Sequence, residues 1–125
     1  MVKNTTGIYI IDDDESIRRG LSRLIRAAGY EPITYGTIEK FLEDVKNETN
    51  SCILLDITMP GTTGLLVLEQ LRKQGIHLPV IAISARDDEE IHQLAHEQGL
   101  KFFFHKPVDD QALLDAIAWA LGSKK

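Results

Sequence analysis

Cysteine is nearly absent from this chain: Cys52 is the one cysteine in 125 residues. No intrachain disulfide can form, and a reducing compartment, the cytoplasm, is expected. Aromatic residues make up only 6%, which leaves aliphatic side chains to fill the interior. No stretch approaches the roughly 20 apolar residues of a membrane span. Met1-Val2-Lys3-Asn4 is not followed by the apolar segment of a signal peptide, because Asp12-Asp13-Asp14-Glu15 interrupts it. Positive charge is in deficit, with 14 Lys and Arg against 19 Asp and Glu and a formal net charge of −5. That balance disfavours unassisted binding to nucleic acid or anionic lipid. Internal repeats, low-complexity tracts and long linkers are missing too.

What remains is the composition of one folded unit. A content of 43% hydrophobic and 26% charged residues excludes a disordered or fibrous chain. At this length about two thirds of the extended chain's surface can be buried without a disulfide or structural metal. Residues 1–125 read as a single domain, either a whole protein or one cut from a longer chain.

Short aliphatic runs alternate with longer amphipathic ones. The spacing predicts strands at Ile8 to Ile11, Glu31 to Thr34, Cys52 to Leu55, Val80 to Ile83 and Lys101 to Phe104. Most lack in/out alternation, as expected of parallel strands covered on both faces. A first helix begins near Glu15, carries Ile17, Leu21, Leu24, Ile25 and Ala28 on one face and stops at Gly29. A second follows Thr37 and buries Ile38, Phe41, Leu42 and Val45. The third carries Leu65, Leu68 and Leu71 and ends near Gly75; the fourth carries Ile91, Leu94 and Ala95 and ends at Gly99. The last follows Pro107 and presents Leu113, Leu114, Ile117, Ala118 and Leu121. Strict alternation of five strands and five helices predicts a doubly wound α/β sheet with right-handed crossovers.

In such a sheet, ligands bind beyond the carboxyl ends of the strands. Asp12, Asp13, Asp14 and Glu15 follow the first strand and Asp56 follows the third, so distant acids converge there. Several carboxylates in one hollow repel and require a cation or protons. Oxygen-only donors favour Mg²⁺ or Mn²⁺ over zinc. The competing reading of the first cluster is an acidic helix cap at Asp14 or Glu15. Ser84 follows the fourth strand and Lys106 the fifth. A hydroxyl and an ammonium beside a metal are suited to holding phosphoryl oxygens.

These motifs together resemble a bacterial two-component response-regulator receiver domain: Ile10-Ile11-Asp12-Asp13-Asp14-Glu15, Leu55-Asp56, Met59-Pro60-Gly61 with Gly64, Ser84-Ala85 and Lys106-Pro107. The resemblance covers essentially the whole chain. It implies a flavodoxin-like (βα)5 doubly wound parallel sheet of strand order 2-1-3-4-5. It implies that Asp56 accepts a phosphoryl group from the phosphohistidine of a sensor histidine kinase. Asp12, Asp13, Asp56 and the Thr58 backbone carbonyl would hold Mg²⁺, or Mn²⁺, while Lys106 and Ser84 would contact the phosphoryl group. Ser84 and Phe103 would form a switch, where relatives commonly carry threonine and tyrosine, and the Lys106-Pro107 peptide would be cis. Thr58, two residues beyond Asp56, stands where the family tunes dephosphorylation, and neither Thr58 nor Arg86 supplies an obvious general base. The implied partner surface is that of the fourth helix, fifth strand and fifth helix, engaged by a homodimer or a covalently attached effector. Asp12-Asp13-Asp14-Glu15-Ser16 and Gly29-Tyr30 resemble transcriptional regulators with a C-terminal helix-turn-helix domain, so transcription control through such a domain is expected, with no nucleic-acid or membrane binding by this one.

Two other function classes compete with this signalling role. One is a phosphohydrolase with Asp56 as nucleophile, weakened because Thr58 stands where a second acid would assist. The other is a phosphorylation-independent interaction domain, weakened because every site residue type is present. Elsewhere the plain readings are preferred: core packing for Cys52 and the Phe102-Phe103-Phe104 run, a polar helix face for His92 and His96, solvent for His105 and partial cover for Trp119. Gly61 and Gly64 lack the lysine and hydroxyl of a nucleotide-binding loop.

Overall fold

The computed structural model describes residues 6–46, 50–58, 64–86 and 88–122, with side chains from 66 onward in the third of these segments. The Met59-Pro60-Gly61 motif, the Leu65 side chain and both chain ends lie outside this set. The strands are β1 (Gly7–Ile11), β2 (Glu31–Tyr35), β3 (Ser51–Asp56), β4 (Val80–Ser84) and β5 (Phe102–His105). They alternate with α1 (Glu15–Ala27), α2 (Ile38–Asp44), α3 (Gly64–Lys73), α4 (Glu89–Glu97) and α5 (Asp110–Gly122). All pairings are parallel and the order is β2-β1-β3-β4-β5, as the sequence led us to expect.

The central position of β3 explains its composition. All six residues of Ser51–Asp56 are buried, because a parallel strand with neighbours on both sides and helices on both faces meets no solvent. At the edge, β2 tolerates Pro32, whose missing N–H costs nothing on the unpaired side. Alternate residues feed two cores. Tyr9, Ile11, Ile53, Leu55 and Ala82 pack against α2, α3 and α4 through Ile38, Phe41, Val67, Leu71 and Ile91. Ile8, Ile10, Cys52, Leu54, Ile81 and Ile83 pack against α1 and α5 through Ile25, Leu113, Ala116 and Ile117. With so few aromatics, the first core brings three of them into mutual contact: the Phe41 ring meets Tyr9 and Tyr35 edge-on at 5.6 and 5.8 Å.

Side-chain caps set the helix starts. Asp14 accepts from the N–H groups of Ser16 and Ile17, Thr37 from Lys40, Asp88 from Ile91 and Asp109 from Ala112. The Asp109 cap explains why α5 begins at Asp110 rather than directly after Pro107. Gly29 closes α1 at φ 94°, a left-handed conformation that side chains disfavour, and Gly75 and Gly99 close α3 and α4 in the same way.

Three apolar positions depart from expectation. Leu94 is 36% exposed, because α4 turns only the stripe through Ile91 and Ala95 inward. Ala28, the α1 cap, and Ala118 are exposed; on α5 Ala116 and Ala120 take the inward positions with Leu113 and Ile117. No described helix is long and apolar enough to cross a membrane.

Cys52 is fully buried, and burial pushes its thiol up to about 12. At pH 8 Ellman's reagent should therefore leave the native protein unlabelled and modify one thiol per chain after unfolding in guanidinium; native labelling would show that the second core opens readily.

Candidate functional site

Parallel strands of matched register end on one edge of the sheet, and β1, β3, β4 and β5 each deliver a polar residue there. Asp12 follows β1, Asp56 closes β3, Ser84 closes β4, and Lys106 follows β5. The Lys106 N–H donates to the Ser84 carbonyl at 2.8 Å, which carries the β4–β5 ladder one residue further and fixes where the lysine starts. The Lys106-Pro107 peptide is cis. From there the ammonium reaches two carboxylates, Asp12 Oδ2 at 2.9 Å and Asp56 Oδ2 at 3.0 Å.

Asp12 and Asp56 are both almost wholly buried, whereas Asp13 is exposed at the mouth of the hollow. One carboxylate oxygen from each of the three lies within 4.8 Å of the others. Burial raises the Asp12 pKa above its ordinary value and Asp56 adds to the rise, while the Asp14 N–H and Lys106 oppose it. Burial works against the Lys106 ammonium as well, but hydrogen bonds to Asp12 and Asp56 prevail and raise its pKa. Three acids and one lysine thus leave the hollow short of positive charge. Its donor set is oxygen only and open to solvent at Asp13, which fits a hard divalent cation with waters completing the shell. No other group of three metal-ligating side chains comes together among the described residues, so the His92–His96 pair has no third ligand.

Asp14 resolves the open question about the first acidic cluster. Its carboxylate caps α1 and does not join the three. The Asp56 carboxylate is bonded on both oxygens: Oδ1 accepts from the Thr58 N–H and the Thr58 hydroxyl, each at 2.9 Å, and Oδ2 from Lys106. The Thr58 hydroxyl in turn accepts from the Ala85 N–H at 3.2 Å. Sequence reasoning offered the Thr58 carbonyl as a ligand; it did not anticipate that the side chain would tie Asp56 to the segment after β4. Ser84 is fully buried and its hydroxyl accepts from the Arg86 N–H at 2.9 Å. Phe103 stands apart from the acids. It is half-buried against the first core, and the His92 ring of α4 lies over it at 4.5 Å. His105 points to solvent.

Residues 8–118 match the family model of the response regulator receiver domain. The chain belongs to that family. It is 38% identical over 114 residues to response regulator protein TodT of Pseudomonas putida, covering 91% of this chain and 50% of that one. To transcriptional regulatory protein FixJ of Azorhizobium caulinodans it is 31% identical over 115 residues, covering 92% of this chain and 54% of the relative. The structure of response regulator StyR superposes with a TM-score of 0.84 at 38% identity, over 94% of this chain and 59% of that one. The chain spans about half the length of the curated relatives it matches. The Asp12, Asp13 and Asp56 cluster is consistent with the divalent-metal site of receiver domains, of the kind that serves phosphorelay signalling.

Signs can be assigned to the electrostatics of this receiver domain. A carboxyl group whose pKa is raised by folding weakens the native state as pH climbs from its ordinary value of 3.8 through the raised one, and that loss persists at neutral pH. Asp12→Asn removes the charge, keeps an oxygen for the Asp14 N–H and leaves Lys106 its bond to Asp56. In metal-free buffer at pH 7 the variant should melt a few degrees higher than the parent chain, and added Mg²⁺, which should raise the parent's Tm, should move it little. A lower Tm would mean that the Lys106 ion pair outweighs desolvation.

Proposed function

We propose that residues 1–125 act as one phosphoacceptor unit in which Asp56 takes a phosphoryl group from the phosphohistidine of a sensor histidine kinase. The observation that carries this reading is the setting of Asp56: a buried carboxylate at the sheet's carboxyl edge, 3.0 Å from the Lys106 ammonium and with an oxygen within 4.8 Å of those of two further acids. Transfer forms the bond between an Asp56 carboxylate oxygen and phosphorus as the bond from phosphorus to the kinase imidazole breaks, and the departing nitrogen keeps the electron pair. Oδ1 already accepts two hydrogen bonds, whereas Oδ2 accepts one from Lys106. Oδ2 therefore retains lone-pair density for attack.

Asp12, Asp13, Asp56 and the Thr58 carbonyl would hold Mg²⁺ or Mn²⁺. When bound, the cation offsets the charge of the carboxylates and of the entering phosphoryl oxygens. Lys106 then passes from Asp12 to the phosphoryl group, and the Ser84 hydroxyl turns from the Arg86 N–H to donate to a phosphoryl oxygen. Phe103 repacks beneath His92 in response, which changes the surface of α4, β5 and α5. That surface would serve a homodimer or an attached effector domain. The FixJ relative is a transcriptional regulatory protein, which supports an output in transcription control through a further domain; the expected setting is the cytoplasm. Thr58 is no general base, so the acyl phosphate should hydrolyse slowly, which favours a signal over a phosphohydrolase.

Incubation with acetyl phosphate and Mg²⁺ should add one phosphoryl mass by intact-mass spectrometry, and the gain should vanish in Asp56→Asn and with EDTA. Lys106→Met should slow the gain by about 100-fold, the scale at which loss of one charge-stabilising donor acts. Failure to label, either with acetyl phosphate or with sensor kinases, under conditions that label another receiver would favour a phosphorylation-independent interaction domain.

A further inference from the structure

We propose that Arg18 and Gly36 together position the acid pair: the Arg18 guanidinium holds the Asp12 carbonyl and so fixes the peptide that joins Asp12 to Asp13. The inference deepens the metal-site reading above and rests on it.

Asp12 is the residue at which β1 gives way to α1, and its backbone is held on both sides. Its N–H donates to the Tyr35 carbonyl at 3.1 Å, at the end of β2. Its carbonyl accepts from Arg18 Nη1 at 2.6 Å. The reach of Arg18 follows from helix geometry: side chains lean toward the helix N-terminus, and Arg18 sits one turn beyond the Asp14 cap. A long, forked donor at that position comes back over the first turn to the peptide preceding it.

Gly36 makes room for the fork. A Cβ there would stand 3.0 Å from Arg18 Nη1, 3.4 Å from Cζ and 3.6 Å from Nη2. Its φ is not left-handed, so the backbone does not demand glycine at this position; an added Cβ would instead press on the guanidinium, which would have to give by a few tenths of an ångström. Arg18 makes no ion pair with a carboxylate among the described residues, so its donor capacity serves the Asp12 carbonyl. The orientation of the 12–13 peptide decides where the Asp13 carboxylate stands relative to Asp12 and Asp56. Partners that orient metal ligands in this way typically govern affinity by 10- to 100-fold.

Isothermal titration of Mg²⁺ tests the assignment on the parent chain, Arg18→Ala, Arg18→Lys, Gly36→Ala and the Arg18→Ala/Gly36→Ala double variant, with metal-free thermal unfolding to confirm that each folds. Arg18→Ala and Gly36→Ala should each weaken Mg²⁺ about 10-fold, and Arg18→Lys, which keeps the charge but not the fork, should recover little. The double variant should bind no more weakly than Arg18→Ala, since the added Cβ then has no guanidinium to displace. In acetyl phosphate labelling the loss should lie in the Mg²⁺ concentration for half-maximal rate, with the rate at saturating Mg²⁺ within about twofold of the parent. Unchanged affinity in Gly36→Ala, full additivity in the double variant, or complete rescue by Arg18→Lys would overturn the positioning role. A parent chain that binds no Mg²⁺ would instead overturn the metal-site reading beneath it. Should Arg18→Ala fail to fold, Arg18→Gln takes its place in the cycle with the same expectations.

Discussion

Three carboxylates share one hollow with a single lysine, and much else in the molecule answers to that imbalance. At the 4.8 Å that bounds their oxygens, two unit charges at an effective dielectric of 20 repel by about 3.5 kcal/mol. Lys106 at 2.9 and 3.0 Å from two of the acids offsets part of this and leaves two formal negative charges unmatched. A divalent cation closes that gap, and the parallel sheet makes the arrangement possible. Neighbouring strands run in one direction, so residues far apart in sequence end on one edge, backed by two aliphatic cores that hold the edge in place. The acids do not fold the chain; the cores do, and the strain among the acids is what a ligand relieves.

Much of this was legible in the sequence because the governing signals are local. Periodicity separates strands from helices, Gly29, Gly75 and Gly99 mark helix ends, and Asp12, Asp56, Ser84 and Lys106 each sit at or just beyond the end of an apolar run. Once alternation fixes a doubly wound sheet, strand-end residues converge whatever their separation in sequence. The sequence also left Asp14 between two roles, and the structure shows why it caps: it precedes the first helical residue, where its carboxylate meets the N–H groups of Ser16 and Ile17.

What was not legible depends on side-chain reach between elements. Arg18 looks like one more charged residue on an exposed helix until β2 brings Gly36 beneath its guanidinium. Thr58 was read as a backbone ligand and as the position that tunes dephosphorylation, yet its hydroxyl also bridges Asp56 and Ala85, a contact across 27 residues that no spacing rule encodes. Leu94 fails for a related reason. Helical periodicity says which residues share a face but not how wide a stripe the rest of the fold covers.

The division of the site into fixed and exchangeable parts follows from which bonds have substitutes. At the β1 and β2 ends the Asp12 backbone is tied to Tyr35 and Arg18, and no phosphoryl chemistry offers those groups a replacement. At the β4 end the Ala85 N–H rests on the Thr58 hydroxyl and the Ser84 hydroxyl on the Arg86 N–H. Each such bond contributes about 0.5–1.5 kcal/mol net, and a phosphoryl group on Asp56 would bring new acceptor oxygens within reach of the Ala85 N–H and the Ser84 hydroxyl. Exchanging one bond for another of similar strength costs little, so the resting and phosphorylated arrangements can lie close in free energy, as a two-state switch requires. On the proposed reading, movement would be confined to the segment after β4 and to Phe103 beneath His92, while the acid pair would stay where the Tyr35 and Arg18 bonds hold it.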